Sequence, residues 1–237
     1  MSFDILQKRL DALRQYEIMD TPPEQAFDDL SRLAGYICKT PIALITLLDA
    51  SRQWFKSHIG IEATETPIEQ AFCAHAIQQR EVFVVPDAQL DKRFAENPLV
   101  TSNPHIRFYA GAPLVTPEGV SLGTLCAIDR VPREITSDQC EALQALARQA
   151  VTQMELRRTV LSLDQALDAI SQARSQITEL HSLLPMCAWC RKVRDDESFW
   201  HHVEDYLVSH TDVRFSHGIC PECAKRLREG EDVMSLP

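Results

Sequence analysis

With 237 residues, 45 % of them apolar, the chain is long enough for one mid-sized domain and a smaller one. The formal charge of −10, with ten Asp/Glu against seven Lys/Arg from Cys187 onward, argues against a basic phosphate-gripping face, so no nucleic-acid partner is expected. The longest apolar run, residues 41–48, is too short to span a bilayer and Met1-Ser-Phe-Asp lacks the features of a signal peptide, so the expectation is no membrane partner, a cytoplasmic location, and eight cysteines held as thiols or metal ligands.

Ile5, Leu6, Leu10, Leu13 and Ile18 recur at helical spacing, and Thr21-Pro22-Pro23 ends that helix because proline removes a donor and disfavours helix before it. A second helix is expected over residues 24–38. The run from Ile42 to Asp49 is short, β-branched and apolar, which marks a buried strand, and residues 53–60 read as its hairpin neighbour. A short helix is expected around 67–78, a strand over 82–85 and a long site-serving loop over 87–104. Strands 106–115 and 121–128 are joined by Thr116-Pro-Glu-Gly119, which has the residues of a reverse turn, and so form an antiparallel pair. From Thr136 or Ser137 as N-cap, nothing breaks a helix before Pro185. Within it Leu156, Thr159, Leu163, Ala166, Ile170, Ala173, Ile177, Leu180 and Leu184 alternate in steps of three and four, which predicts a dimeric parallel coiled coil.

Near the C-terminus stand Cys187-Ala-Trp-Cys190 and Cys220-Pro-Glu-Cys223. A tight turn lets both sulfurs of one CxxC reach the same ion at about 2.3 Å, so two such pairs predict a structural Zn2+ held by Cys187, Cys190, Cys220 and Cys223. A redox dithiol is the alternative for the same residues, and His217 is a possible substitute ligand. A helix over about residues 198–209 is expected between the pairs.

Residues 10–158 resemble the GAF domains of bacterial sensor proteins. The likeness runs through Ala43-Leu-Ile-Thr-Leu-Leu-Asp49, Gln53-Trp-Phe-Lys-Ser, Phe72-Cys-Ala-His-Ala-Ile77, Val84-Val-Pro-Asp-Ala88, Ile106-Arg-Phe-Tyr-Ala-Gly-Ala-Pro-Leu114 and Leu122-Gly-Thr-Leu-Cys-Ala-Ile-Asp129. The C-terminal segment resembles a CxxC tail found after signalling modules. The resemblance implies an α+β fold: an antiparallel sheet of about six strands, terminal helices on one face, and a ligand pocket under loops on the other. The expected organisation is a GAF sensory domain over 1–150, a coiled-coil signalling helix over 151–184 and a zinc-binding module over 185–237.

Candidate pocket residues are Asp49, Trp54, Lys56, Cys73, His75, Arg107, Tyr109, Cys126 and Asp129. Strand alternation puts Arg107 and Tyr109 on one face, a pairing suited to an anionic or aromatic ligand, or else leaves Arg107 bridging to Asp129. Ala74 separates Cys73 from His75, which disfavours bilin attachment, whereas a mononuclear metal sensor using Cys, His and Asp stays open. No GGDEF or EAL output domain, kinase phosphoacceptor or ATP-binding motif is recognised. The resulting expectation is a non-enzymatic signalling protein in which the GAF domain binds a small ligand and relays its state through a dimeric coiled coil to a zinc-stabilised module contacting a signalling partner. The alternative is a redox enzyme that reduces free methionine sulfoxide with Cys73 and Cys126.

Overall fold

The computed structural model describes residues 3–181, 185–195 and 197–229. The chain divides into two compact units, Met1–Gln165 and Ala166–Pro237.

The first unit is built on a six-stranded antiparallel sheet of β1 (Ile42–Leu48), β2 (Arg52–Ile59), β3 (Glu65–Pro67), β4 (Phe83–Val85), β5 (Phe108–Val115) and β6 (Ser121–Asp129). Their order across the sheet is β3-β2-β1-β6-β5-β4. β1 lies centrally and is buried throughout, as its unbroken apolar run requires: Ala43, Ile45 and Leu47 enter one core, Ile42, Leu44 and Leu48 the other. The first core faces α1 (Phe3–Tyr16), α2 (Gln25–Cys38) and the start of α5 (Ser137–His181), through Leu13, Phe27, Ala34, Leu143, Ala147 and Met154. The second lies under α3 (Cys73–Ala76), α4 (Pro98–Thr101) and the loops around them.

The cap of α5 is Thr136, whose Oγ1 accepts from Gln139 N at 3.3 Å while Gln139 Oε1 accepts from Thr136 N at 3.1 Å, a reciprocal capping box. The turn before β6 closes at Gly119, which takes φ +83°, a conformation that glycine adopts without strain. Two expectations need correction. The helix expected at 67–78 is a 3-10 turn, Ile68–Gln70, followed by the four-residue α3, and the loop over 87–104 contains α4. β3 is an additional strand at the sheet edge, pairing Trp54 with Glu65.

A bulge in the β1–β2 ladder pairs Ile45 with Ser57 but Thr46 with Phe55, leaving Lys56 as the extra residue. The bulge lets both Lys56 and Ser57 serve the helix side: Ser57 Oγ donates to Asp28 Oδ1 of α2 at 2.7 Å, and Lys56 Nζ donates to Glu24 Oε1 just before α2.

The second unit contains the remainder of α5, β7 (Val193–Arg194), β8 (Trp200–His201), α6 (Val203–His210) and α7 (Pro221–Arg228). The helix expected over 198–209 is α6, which starts after β8. Among the described hydrophobic residues of this unit Val193 is buried, whereas Trp189, Phe199, Val208 and Ile219 are exposed. Along α5, Leu156, Val160, Leu163, Leu167 and Ile170 are exposed, between 48 % and 64 %. Steps of four and three place these five on one stripe, next to the expected Thr159 and Ala166, which are exposed too. The side chains of Ile177 and Leu180, and residue Leu184, lie outside the described residues. No described helix is long and apolar enough to cross a membrane.

Candidate functional site

The second core encloses a cavity of about 30 Å³ between β1, β2, β5 and α3, walled by Leu44, Phe55, Phe72, Ile106 and Ile128. Polar side chains reach it at Gln53, Thr66, Cys73 and Tyr109. Gln53 and Phe55 face this side of β2 while Trp54 and Lys56 face the helices.

Behind the cavity wall lies a hydrogen-bonded cluster. Cys73 Sγ accepts from Thr124 Oγ1 at 2.9 Å and Thr46 Oγ1 at 3.2 Å, and lies 3.2 Å from Tyr109 Oη. Burial pushes the Cys73 thiol up, but hydrogen bonds from Cys126, Thr124, Thr46 and Tyr109 outweigh it and bring it down to about 7. Burial, joined by the charge and hydrogen bond of Cys73, raises the Cys126 thiol and the Tyr109 phenol. Gly111 makes the cluster possible, because a Cβ there would stand 2.2 Å from the Tyr109 hydroxyl. The ring of Tyr109 continues into an aromatic stack, with Phe72 at 5.3 Å and Phe72 against Phe94 at 4.0 Å.

Of the nine expected pocket residues, the cavity wall takes Cys73 and Tyr109, and Cys126 shares their core. The others have different work. Arg107 precedes β5 and forms a two-pronged pair with Asp87, Nε–Oδ1 2.8 Å and Nη2–Oδ2 2.6 Å, so neither the pocket nor a bridge to Asp129 claims it. That guanidinium holds the Asp87 carboxyl below the ordinary range. Asp129 pairs with Arg133 and accepts from the backbone N–H of Arg130. Asp49 accepts from Ser51 N and Arg52 N, both at 2.8 Å, and so closes the β1–β2 hairpin. Trp54 is in the helix-side core. Lys56, its side chain fully buried, donates to Glu24 Oε1 at 2.7 Å, Thr21 Oγ1 at 2.8 Å and Pro22 O at 2.8 Å. His75 is exposed, with its ring edge on Phe94 at 5.0 Å, and burial together with Arg93 pushes its pKa down. Sequence reasoning missed Gln53 and Thr66, whose only signal is their place beside Trp54 and Pro67 on β2 and on the edge strand β3 paired with it.

Each CxxC pair forms its own turn. The backbone N–H groups of Cys190 and Trp189 point at the Cys187 sulfur and lower its pKa; those of Cys223 and Glu222 do so for Cys220, which caps α7. Among the described residues no group of three or more His, Cys, Asp or Glu is gathered where a metal ion would sit, so the structure forms the halves of the expected site without joining them. Nor, among the described residues, are a Cys, a His and an Asp gathered as the mononuclear alternative would need.

The GAF domain model matches residues 22–154, more than half of the chain. The chain belongs to the GAF family. GAF domains generally bind small-molecule ligands. A cyclic di-GMP phosphodiesterase of Pseudomonas aeruginosa is 40 % identical over 163 residues, covering 68 % of this chain and 28 % of that protein. The chain thus spans under a third of the length of that relative. The GAF domain of an Acinetobacter phosphoenolpyruvate-protein phosphotransferase, 18 % identical, covers 68 % of this chain and 98 % of its own with a TM-score of 0.50. The PixJ GAF domain of Thermosynechococcus elongatus, 15 % identical, covers 73 % and 98 % with a TM-score of 0.48.

The Pseudomonas relative overturns the expectation of a non-enzymatic signalling protein and, with it, the alternative of a methionine sulfoxide reductase: the similar protein is an enzyme acting on cyclic di-GMP. The tripeptide Glu141-Ala142-Leu143 spells the EAL letters, but Leu143 is fully buried in the helix-side core of α5, so it is a packing element.

Proposed function

We propose that this GAF unit is the ligand-sensing part of a cyclic di-GMP phosphodiesterase system, with a small molecule in the cavity under α3 setting the rate of hydrolysis. The observation that carries this reading is the 40 % identity to the Pseudomonas enzyme. A ligand can shift such an activity only by binding two arrangements unequally, and a preference of about 1–3 kcal/mol changes it about 5–150-fold. The test is the cyclic di-GMP content of bacteria expressing the full chain, its Gln53→Leu variant or neither. Expression of the wild type should lower the nucleotide, and Gln53→Leu should alter that effect. Unchanged levels in both strains would remove the reading.

The exposed stripe of α5 supports a parallel homodimer in which Leu156, Val160, Leu163, Leu167 and Ile170 form the seam of a coiled coil, since an apolar stripe is stabilised when a second copy covers it. Leu163→Lys with Ile170→Lys is expected to give a monomer in sedimentation at tens of micromolar, where the wild type sediments as a dimer. A wild type that is monomeric there would refute the dimer.

For the second unit the proposal is a structural Zn2+ held by Cys187, Cys190, Cys220 and Cys223. The donor set fits: four sulfurs in two preturned pairs, in a unit whose described apolar side chains are mostly exposed. A zinc-stabilised unit with Trp189, Phe199 and Ile219 on its surface suits contact with a signalling protein partner. A cytoplasmic location belongs to the same reading, since cysteines there stay reduced and able to bind metal.

A further inference from the structure

The cavity under α3 carries a chemistry that ligand sensing in general does not require. Gln53 is 6 % exposed, and among the described residues neither its Oε1 nor Thr66 Oγ1 has a hydrogen-bond partner. A buried acceptor left unmet costs about 1–3 kcal/mol, so a donor is favoured there. Oε1 accepts only, and the remaining wall is apolar, so the cavity suits a small neutral molecule that donates. A volume of about 30 Å³ is room for roughly two waters, the size of one hydrogen peroxide.

A nucleophile stands in the same wall. Cys73 is one of the residues lining the cavity, and Thr46, Thr124 and Tyr109 present three hydroxyls to its Sγ. Thr124 and Cys126 are two residues apart on β6 and so share a face, which brings a second buried thiol beside Cys73. The hydroxyls stabilise a thiolate, the reactive form of cysteine.

We propose that Cys73 is a site of oxidation by hydrogen peroxide, with Cys126 as the thiol that resolves it; this rests on reading the cavity as the ligand site of the GAF unit. The peroxide donates one O–H to Gln53 Oε1. Cys73 Sγ attacks an oxygen, so that an S–O bond forms, the O–O bond breaks, and the departing oxygen leaves as water with the thiol proton. Cys126 Sγ then attacks the Cys73 sulfenic acid: the S–S bond forms, the S–O bond breaks, and a second water leaves. Two thiols are oxidised to one disulfide and one peroxide is reduced to two waters. This modifies the chain stoichiometrically and turns over no further substrate.

The experiment treats the reduced full chain with hydrogen peroxide and maps each cysteine by peptide mass spectrometry. The expected product is a Cys73–Cys126 disulfide, with Cys126→Ser leaving a Cys73 sulfenic acid that dimedone captures. Cys38 is the internal control: it is buried outside the cavity, its thiol pushed up to about 11 by burial, and it should remain reduced. Gln53→Leu should slow Cys73 oxidation about tenfold, the factor for one lost hydrogen bond. If Cys126→Ser does not fold, the wild-type map decides. Cys73 oxidising no faster than Cys38 overturns the proposal. If Cys73 resists peroxide but another small molecule stabilises the wild type and not Gln53→Leu, the cavity remains a ligand site and the oxidation proposal alone fails.

Discussion

Cys190→Ser is expected to unfold the C-terminal region from Cys187 to Arg228 while the GAF unit stays folded. That region has little core of its own, Val193 being the buried hydrophobic among its described residues, so its folding energy must come from elsewhere. A structural zinc supplies about 10–16 kcal/mol in small thiolate modules at neutral pH, more than such a core provides. With one of four sulfurs replaced, the remaining three leave an open shell and the gain falls steeply. Two measurements check this. Elemental analysis should give one zinc per wild-type chain purified without chelator, and limited proteolysis should cut the variant between Cys187 and Arg228 first. A wild type without zinc, or a variant that keeps its full zinc content and resists the protease, refutes the assignment.

Glu24→Ala is expected to lower the stability of the GAF unit by about 1–3 kcal/mol, less than the loss of a fully buried pair because Glu24 is 38 % exposed and Lys56 keeps two other acceptors. Lys56 has a fully buried side chain, and Glu24 supplies its countercharge at 2.7 Å. Glu24 Oε1 also accepts from Arg157 Nε at 3.1 Å, and Arg157 Nη1 donates to Tyr16 O at 3.0 Å and Glu17 O at 2.8 Å, so one carboxylate ties β2, the end of α1 and α5 together. In thermal unfolding this corresponds to a fall in Tm of roughly 2–4 °C per kcal/mol for a domain of this size. Lys56→Met in the same chain should recover most of the loss, since an apolar side chain of similar volume needs no countercharge. A Glu24→Ala protein that melts with the wild type would show that Thr21 and Pro22 alone satisfy Lys56.

The two cores differ in how visible they are. The helix-side core follows from periodicity: Leu13 and Ile18 at the end of the first apolar pattern and the unbroken run of β1 are local patterns, and local patterns are what a sequence displays. The cap of α5 is equally local, since Thr136 and Gln139 stand three apart. The candidate site was less legible. Alternation placed Arg107 beside Tyr109, yet Asp87, twenty residues away, captures the guanidinium just before β5 begins. Likewise a bulge, which no propensity marks, brings Ser57 to the helix face beside Lys56, where strict alternation would have turned it to the cavity side. β3 is three residues long, polar and ends in proline, so only its pairing with β2 reveals it.

By itself the sequence determined the family, the class of fold, the long helix and the two CxxC turns, because each rests on residues close together in the chain. The tertiary structure alone decided which charged groups are free to meet a ligand and which are paired off. It also decided where Cys73, Thr124, Tyr109 and Cys126 converge. Those outcomes depend on contacts between strands distant in sequence, whose register and bulges are set by the packing of the whole sheet.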